Sequence, residues 1–440
     1  MRRFGQPQYY TPDACNAVVQ PSTEFRFAYE PPVIRYGAGS AGALAGELGE
    51  LGFDRALVVC GKTVGERPTV LDPVRDGLGD RLVGVFAETT PEKRLETAVE
   101  CARRARELDA DVLLGLGGAS SLDIARVASV VAASAHSPEE LGAQLVSTAT
   151  LSVPDDPLPV VAVPTTLAGG SLSMLAGVTA DPESGLVTEA AGGGVGDPKL
   201  MPALAVYDPD LVATTPREVL AGSAMNGFSK GLETLYSSAG TPITDSTASD
   251  GLTLLSHALP ELGENPGRAD IEAALRGTLL SQYGVSRATG TTFSVVHALG
   301  HSLRIHTGVQ LGVAHAAVAP HALAWLFEHV DGRRDLLATA LEVDDRDDPA
   351  AAVVDTVKQI TDGLRIAGRL RDLPGIERST LDDVAGMAAD SFLLANDAPG
   401  RTVSETDAAA TAHSWSGSPH APPGLEVSSE AMRGVLDAAW

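Results

Sequence analysis

The sequence predicts an α/β fold in two parts. A doubly wound parallel sheet occupies residues 1–212, and an all-helical domain follows over residues 213–440. Three observations carry this expectation. The chain has 440 residues, more than one hydrophobic core normally serves, so two domains are expected. Short apolar runs alternate with helical patterns through the first half, the signature of repeated βα units. From about Thr214 the strand signals stop, and Pro216 opens a series of helix-period patterns that fills the rest of the chain.

The strands come first. Ala56–Cys60, Leu82–Phe86, Val112–Leu116, Val160–Val163 and Leu204–Tyr207 are continuous apolar runs, as expected of parallel strands buried on both faces. Pro91–Leu108 and Ser121–Ser134 read as helices between them, the second starting after a Gly-Gly turn with Ser at the capping position. In such a sheet ligands gather at the carboxyl ends of the strands. The seam between the two parts falls near Pro209–Pro216, and a cleft there is the expected place for a substrate. Thr411–Gly424 is too rich in Pro and Ser to continue a helix and reads as a loop. No internal repeat is evident.

Composition narrows the function classes. Hydrophobic residues make up 44% and aromatics only 4%, as in a soluble globular enzyme. The formal charge is 32 − 57 = −25. That excess argues against nucleic acid or an anionic membrane as partner, because like charges repel. Only five of the 32 basic residues are lysines (Lys62, Lys93, Lys199, Lys230 and Lys358). High acidity with scarce lysine predicts a halophilic protein suited to molar salt, where the Debye length shrinks to about 3 Å. A GC-rich genome would also favour arginine, but it does not account for the acid excess. Cys15, Cys60 and Cys101 are odd in number and far apart, without the spacing of a disulfide framework or a zinc site. The segment Met1–Gln8 lacks an apolar signal core, and no run approaches the ~20 apolar residues of a membrane span. A cytoplasmic location is expected.

Two turns carry the chemistry. Val112–Leu116 runs into Gly117-Gly118-Ala119-Ser120-Ser121-Leu122-Asp123 and then a helix. Glycines there let the backbone approach a phosphate, and the helix N-terminus offers free N–H groups and a positive dipole end. A glycine pair by itself marks any tight βα turn. The second turn, Pro164-Thr165-Thr166-Leu167-Ala168-Gly169-Gly170-Ser171 after Val160–Val163, adds a polar lip at the carboxyl end of another strand. Two such lips on one sheet edge favour a nucleotide.

At this point the residues resemble a family. Gly-Gly-Ala-Ser-Ser-Leu-Asp-Ile-Ala-Arg and Pro-Thr-Thr-Leu-Ala-Gly-Gly-Ser are similar to the GGGSxxDxAK and PTTxGTGSE signatures of the iron-containing (group III) alcohol dehydrogenase superfamily. Tyr36-Gly37-Ala38-Gly39 and Tyr207-Asp208-Pro209-Asp210-Leu211 also match, and the likeness runs from about Val33 to Gly400. The resemblance implies the dehydroquinate synthase-like fold, an NAD(P)-binding first domain, a helical second domain, hydride transfer between them, and a homodimer or larger assembly. It also implies that Gly117, Gly118 and Ser120 hold the pyrophosphate with Asp123 nearby, and that Thr165, Thr166 and Gly169 line the nicotinamide side. Many members carry Asp where this chain has Gly61. Its loss removes repulsion of a 2′-phosphate, and Lys62 beside it could pair with that phosphate, so NADPH is expected to be accepted alongside NADH.

Metal-dependent members hold iron or zinc through one Asp and three His. In this chain Glu233 fixes the register, so the Asp position is Asn226 and the first His position is Lys230. The HxxxH pair remains as His297 and His301, and the fourth ligand position, 14 residues beyond His297, is Leu311. Three of the four donors are gone, and an ammonium repels a divalent ion, so no metal is expected. One branch, the maleylacetate reductases, is similar in reading Met-Asn at Met225-Asn226 and in its Pro320-His321-Ala322-Leu323. It differs at Lys230, at Leu311 and in the longer second turn.

Without a metal, Lys230 is the expected stabiliser of the developing alkoxide, or the anchor of a substrate carboxylate. His301 is the expected proton donor, with His297 orienting the substrate one helical turn away. His315 and Asn226 are expected in the same pocket, and His306 and Arg304 as positive charge for an acidic substrate. The function that follows is an NAD(P)H-dependent, metal-independent reductase of a small oxo acid or aldehyde. Two rivals stand beside it. One is a metal-dependent alcohol dehydrogenase with a re-registered site drawing on His301, His306 or His315, and the other is a nucleotide-binding pseudoenzyme.

Overall fold

The computed structural model describes residues 25–264, 266–288, 290–343, 347–391, 393–394, 421–422 and 424–440. The loop expected at Thr411–Gly424 lies almost wholly outside them.

Six strands form one parallel sheet: β1 (Val33–Tyr36), β2 (Ala56–Gly61), β3 (Leu82–Thr89), β4 (Val112–Gly117), β5 (Val160–Pro164) and, after a separate hairpin, β8 (Leu204–Tyr207). Their order is β1-β8-β5-β4-β2-β3. The strands expected from apolar runs are all present, and β2, β4, β5 and β8 are buried along almost their whole length. Separate apolar clusters cover the two faces of the sheet, one against helices α1 (Leu44–Leu51) and α3 (Pro68–Leu78), the other against α4 (Leu95–Glu107) and α5 (Ala119–Ala133). A four-residue turn of helix, α2 (Lys62–Gly65), follows β2. Helix α6 (Pro138–Thr148) begins in a capping box, with the Ser137 hydroxyl accepting from the Glu140 N–H and the Glu140 carboxylate accepting from the Ser137 N–H.

Two features were not legible. Strand β1 is an exposed edge strand and so has no apolar run to betray it. An antiparallel hairpin, β6 (Leu175–Ala180) with β7 (Ala191–Gly196), interrupts the βα rhythm, and its second strand reads Ala-Gly-Gly-Gly-Val-Gly. It packs on α5 and ties back to the segment after β3 through Thr179 N–H to the Lys93 carbonyl.

Beyond a short helix, α7 (Pro209–Val212), helices dominate: α8 (Arg217–Tyr236), α9 (Pro242–Leu262), α10 (Arg268–Gln282), α11 (Val295–Thr307), α12 (Leu311–His329), α13 (Arg334–Ala340), α14 (Pro349–Gly363), α15 (Leu381–Ala389) and α16 (Ser429–Ala438). The expectation of an all-helical second part needs one small correction. Ser286–Arg287 and Gly290–Thr291 pair as a two-residue antiparallel ladder.

Helix α8 is the axis of this part. It is buried from Leu220 almost without interruption to Tyr236. Gly222, Gly227 and Gly231 let neighbours reach its backbone. Gly222 faces Gln310 and Val313, Gly227 faces the Leu167 carbonyl and Thr278, and Gly231 faces Leu252 and Ser281. A wholly buried helix of this kind sits where several layers meet. The apolar cluster around it continues into Ala162, Ala205 and Tyr207 of the sheet, so the two parts share packing.

Candidate active site

The carboxyl ends of β4 and β5 run into the two glycine turns, and the second turn meets α8. Gly117 pairs with Pro164 in register, and the Thr165 N–H donates to the Gly117 carbonyl at 3.0 Å, so the two glycine turns are neighbours. Gly117 has φ +134°, a conformation that L side chains resist, and a Cβ there would stand 3.0 Å from Ser121 Oγ. A Cβ on Gly118 would meet Thr166 at 3.4 Å. Helix α5 starts at Ala119 with Gly118 as its N-cap, and no side chain caps it. This corrects the expectation of a serine cap. Ser120 is already in the first helical turn, and the leading N–H groups are left for a ligand. Ser121 Oγ instead pairs with Thr89 Oγ1 at 3.0 Å.

Gly61 closes β2 in ordinary extended backbone, with the Thr89 carbonyl 3.1 Å from where a Cβ would be. Lys62 is 80% exposed and lies 3.8 Å from Glu66. Asp123 is committed to protein partners: Lys93 Nζ at 2.5 Å, the Gly177 N–H at 3.2 Å and Arg126 at 3.6 Å.

The second turn is gripped from both sides. Lys230 of α8 donates its Nζ to the Gly169 carbonyl, and Arg126 of α5 donates Nη2 to the Gly170 carbonyl at 2.8 Å. Both cations are buried. Gly169 has φ +68°, and a Cβ there would lie 3.2 Å from Lys230 Cδ. Burial pulls Lys230 down to about 7, against the pull of Asp123 in the other direction and with the push of Arg126. The Lys230 Nζ also stands 5.1 Å from the Phe293 ring centroid.

Around Lys230 the predicted histidines converge. His297 stacks on Phe293 with centroids 4.1 Å apart, meets His315 edge-on at 4.5 Å, and lies 6.1 Å from His301. His297 and His315 are buried, whereas solvent reaches His301. Close packing of protein around His301, then His297 and the cations Lys93, Arg304 and Lys230, disfavour its charged form. Burial and then Lys230 hold His297 far below the usual histidine range, and burial with the neighbouring rings does the same for His315. A Cβ on Gly300 would overlap the His315 ring and sit 3.1 Å from Leu311 Cδ1, which places Leu311 beside these residues. Asn226 is close as well. The first turn of α12 packs on its backbone N, and its Oδ1 is buried without a partner. His297 Nε2 and both ring nitrogens of His315 are likewise buried and unpartnered. His306 is exposed, and Arg304 is occupied with the Pro91 carbonyl at 2.8 Å. His321 lies in the middle of α12, where Lys358 is its charged neighbour, and it caps nothing.

Sequence reasoning treated Glu233 only as a marker of register. In the structure its fully buried carboxylate takes the His297 Nδ1 contact, the His297 backbone N–H at 3.0 Å and the Tyr236 hydroxyl at 3.2 Å. Burial raises this carboxyl, opposed by the N–H groups of His297, Ser294 and Val296 and the Tyr236 hydroxyl. Phe293, Lys93 and Arg126 were also missed. The first two lie in loops without a motif, and Arg126 stands where the family signature has Lys.

Both halves of the chain match known protein families. A model of the iron-containing alcohol dehydrogenases matches residues 31–209, and that of the C-terminal domain of the Fe-containing alcohol dehydrogenase family matches residues 220–406. The chain belongs to the iron-containing alcohol dehydrogenase family. As a member it is an NAD(P)-dependent oxidoreductase of the alcohol dehydrogenase/reductase class, and it is similar to that family's maleylacetate reductase branch. It is 28% identical to maleylacetate reductase 1 of Cupriavidus pinatubonensis over 369 residues, which is 82% of this chain and 91% of that one. It is 31% identical to the maleylacetate reductase of Sphingobium indicum over 306 residues, 68% and 75% of the two chains. Among solved structures, the sulfoacetaldehyde reductase of Bifidobacterium kashiwanohense in complex with NAD+ shares the fold, with a TM-score of 0.76 at 17% identity over 94% of this chain and 99% of that one. Among the described residues, no helix is long and apolar enough to cross a membrane.

The family name implies iron, and the side chains here do not fit it. Asn226 offers a neutral amide, Lys230 a cation and Leu311 no donor, which leaves His297 Nε2 as the only imidazole donor at the four positions. Among the described residues, no group of three or more His, Cys, Asp or Glu is placed to hold an ion. The glycine turns do fit a dinucleotide, offering a cradle that a Cβ would crowd and an uncapped helix start.

Proposed function

We propose that this chain is a metal-independent NAD(P)H reductase that delivers a hydride to the carbonyl of a small oxo acid, as its similarity to maleylacetate reductases implies. The observation that carries the proposal is Lys230. Its ammonium is buried beside the nicotinamide lip, at the position where metal-dependent relatives place a ligand. A fixed cation in a desolvated site stabilises a developing alkoxide strongly, because the surrounding dielectric is low and nothing has to reorganise.

The other residues fall into place around it. Gly117, Gly118, Ser120 and the start of α5 hold the pyrophosphate, and Thr165, Thr166 and Gly169 line the nicotinamide side. When bound, the nicotinamide supplies the hydride. His301 is the ring that solvent reaches and brings the proton in. His297 orients the substrate, His315 buttresses His297, and Asn226 offers an unpartnered amide oxygen to a polar group of the substrate. This reading treats residues 1–212 as the cofactor domain and 213–440 as the substrate domain, in a homodimer or larger assembly.

The test is NADPH and NADH oxidation in molar KCl against maleylacetate and a panel of keto acids and aldehydes, with and without EDTA. Turnover of an acid that survives EDTA is expected. Activity that disappears with EDTA and returns with Fe²⁺ or Zn²⁺ would overturn the metal-free reading, and tight NADPH binding with no turnover of any carbonyl would make the chain a pseudoenzyme.

Cofactor choice has its own test. Gly61 presents no charge to a 2′-phosphate, so NADPH is accepted. Gly61→Asp is expected to weaken NADPH at least about tenfold relative to NADH by like-charge repulsion. Equal preference before and after the change, measured as the ratio of kcat/KM values, would show that the phosphate does not approach this position.

A further inference from the structure

We infer that Lys93 is a specificity-determining residue, whose ammonium receives the carboxylate of the oxo acid while Lys230 faces the oxygen being reduced. The inference rests on the reductase reading above and assigns the acid-recognising group that it leaves open.

The backbone sets the position of this side chain. Lys93 lies in the loop between β3 and α4 with φ +58°, a left-handed conformation that a lysine keeps only where its surroundings impose it. Its N–H donates to the Thr90 carbonyl at 3.2 Å, and its carbonyl accepts the Thr179 N–H at 3.0 Å. Thr179 Oγ1 adds a bond to the Glu92 carbonyl at 2.7 Å, so strand β6 holds the loop from one side. From the other side Arg304 of α11 reaches the Pro91 carbonyl at 2.8 Å. Arg304 stands three residues after His301, on the same helix face. The loop therefore bridges the dinucleotide side and α11. From it the Lys93 side chain, 17% exposed, runs inward to Asp123 near the start of α5.

The charges around it call for an anion. Lys93, Arg126 and Lys230 all bear on Asp123, which carries one charge for three cations. Glu233 also acts on Lys230, but its oxygens are turned to His297 and Tyr236. In a chain of formal charge −25 this is a local excess of positive charge, and a desolvated excess is best offset by an anionic ligand. Arg126 is fully buried under the second turn, and Arg304 is occupied by the Pro91 carbonyl with Glu92 near it. Lys93 is the cation left for a carboxylate. Its ammonium has three N–H groups, of which Asp123 Oδ2 takes one. Gly177 beside it brings no side chain. A Cβ there would lie 3.7 Å from Nζ, so glycine leaves a methyl-sized space next to the ammonium. The charge of Lys93 is felt at both Lys230 and His301, which sets it beside the reacting carbonyl. A carboxylate gains a charge-assisted hydrogen bond there, and a neutral aldehyde gains nothing comparable.

The test is selectivity, measured as kcat/KM for an oxo acid of the panel divided by that for its methyl ester. Lys93→Gln is expected to lower this ratio about 10–100-fold, the scale of a lost hydrogen bond to a charged group. Lys93→Arg keeps the cation and is expected to restore most of it. The NADPH dissociation constant, from fluorescence titration, is expected to stay within a few-fold of wild type. An unchanged ratio in Lys93→Gln would overturn the inference. Equal losses for acid and ester, or a loss confined to NADPH affinity, would overturn it too, because Lys93 would then serve the fold or the cofactor.

Succinate, a dicarboxylate with no carbonyl to reduce, separates this inference from the reading it rests on. By calorimetry it is expected to bind the NADPH complex of the wild-type protein and to bind that of Lys93→Gln at least about tenfold more weakly. Equal affinity for both sinks the inference. If no carbonyl of the panel is turned over, the reductase reading falls and the succinate titration still decides the carboxylate site. Should Lys93→Gln not fold, the wild-type protein labelled with ε-¹³C lysine supplies the answer. Its Lys93 resonance, assigned by its loss in Lys93→Arg, is expected to shift as succinate is added, and a resonance that stays in place rejects the inference.

Discussion

Lys230→Met lowers kcat by about 10²–10³-fold, the scale of a lost oxyanion-stabilising group, while NADPH affinity stays within a few-fold of wild type. Methionine retains most of the apolar length that Lys230 threads past Phe293 and Gly169, so packing is largely preserved and the lost quantity is charge. Stopped-flow reduction with saturating substrate separates the chemical step from binding, and the deficit should appear in kcat rather than KM. The pH profile provides a second signature. Burial draws Lys230 down to about 7, so the ammonium is present below that pH and is lost as pH rises through it. Wild-type kcat/KM for carbonyl reduction should therefore fall on the alkaline side of neutrality, and Lys230→Met should lack that limb. A variant as fast as wild type, or one that keeps the limb, would remove Lys230 from the mechanism.

The second large effect is on stability. A Cβ on Gly312 would overlap the Gly222 carbonyl and come within 3.1 Å of the Asn226 backbone nitrogen. Helices α8 and α12 touch there through bare backbone, and neither partner is a flexible side chain that could yield. Gly312→Val is expected to destabilise the protein by about 3 kcal/mol, the upper range for overpacking. It also separates the helix carrying Leu311 and His315 from the one carrying Asn226 and Lys230, so activity should fall together with stability. Thermal unfolding in high salt measures it. Gly434→Ala is the matched control. It lies in α16 with nothing within 4 Å of the new methyl group, and the gain in helix propensity of about 0.5–1 kcal/mol should leave the melting temperature equal or higher. If Gly312→Val melts with the control, the two helices do not meet as described.

How much of this could be read from sequence depends on how local each signal is. Strands buried on both faces announce themselves as apolar runs, and Leu204–Tyr207 is a strand over the very residues expected. Val33–Tyr36 is exposed at the sheet edge and gives no such run. The hairpin strand Ala191–Gly196 is mostly glycine, which carries no strand propensity. The helix after the first turn begins at Ala119 rather than after a serine cap, because Gly118 takes the N-cap position and has no side chain to mark it. The site divides in the same way. Asn226, Lys230 and His297 stand at motif spacings, and the structure brings them together with His315 and Leu311. Glu233 was visible as a letter, but its contact with His297 spans 64 residues and no spacing rule reaches that far. Phe293 and Lys93 lie in loops whose placement only the tertiary fold determines.

Arg126 and Lys230 hold the carbonyls of two adjacent residues, one from each half of the molecule. Those carbonyls belong to consecutive peptide groups joined at the Gly170 Cα, so each of the two glycine peptides has its own tether. A loop of the most permissive residues is thereby held in one shape before anything binds, and a ligand that meets it has little ordering left to do.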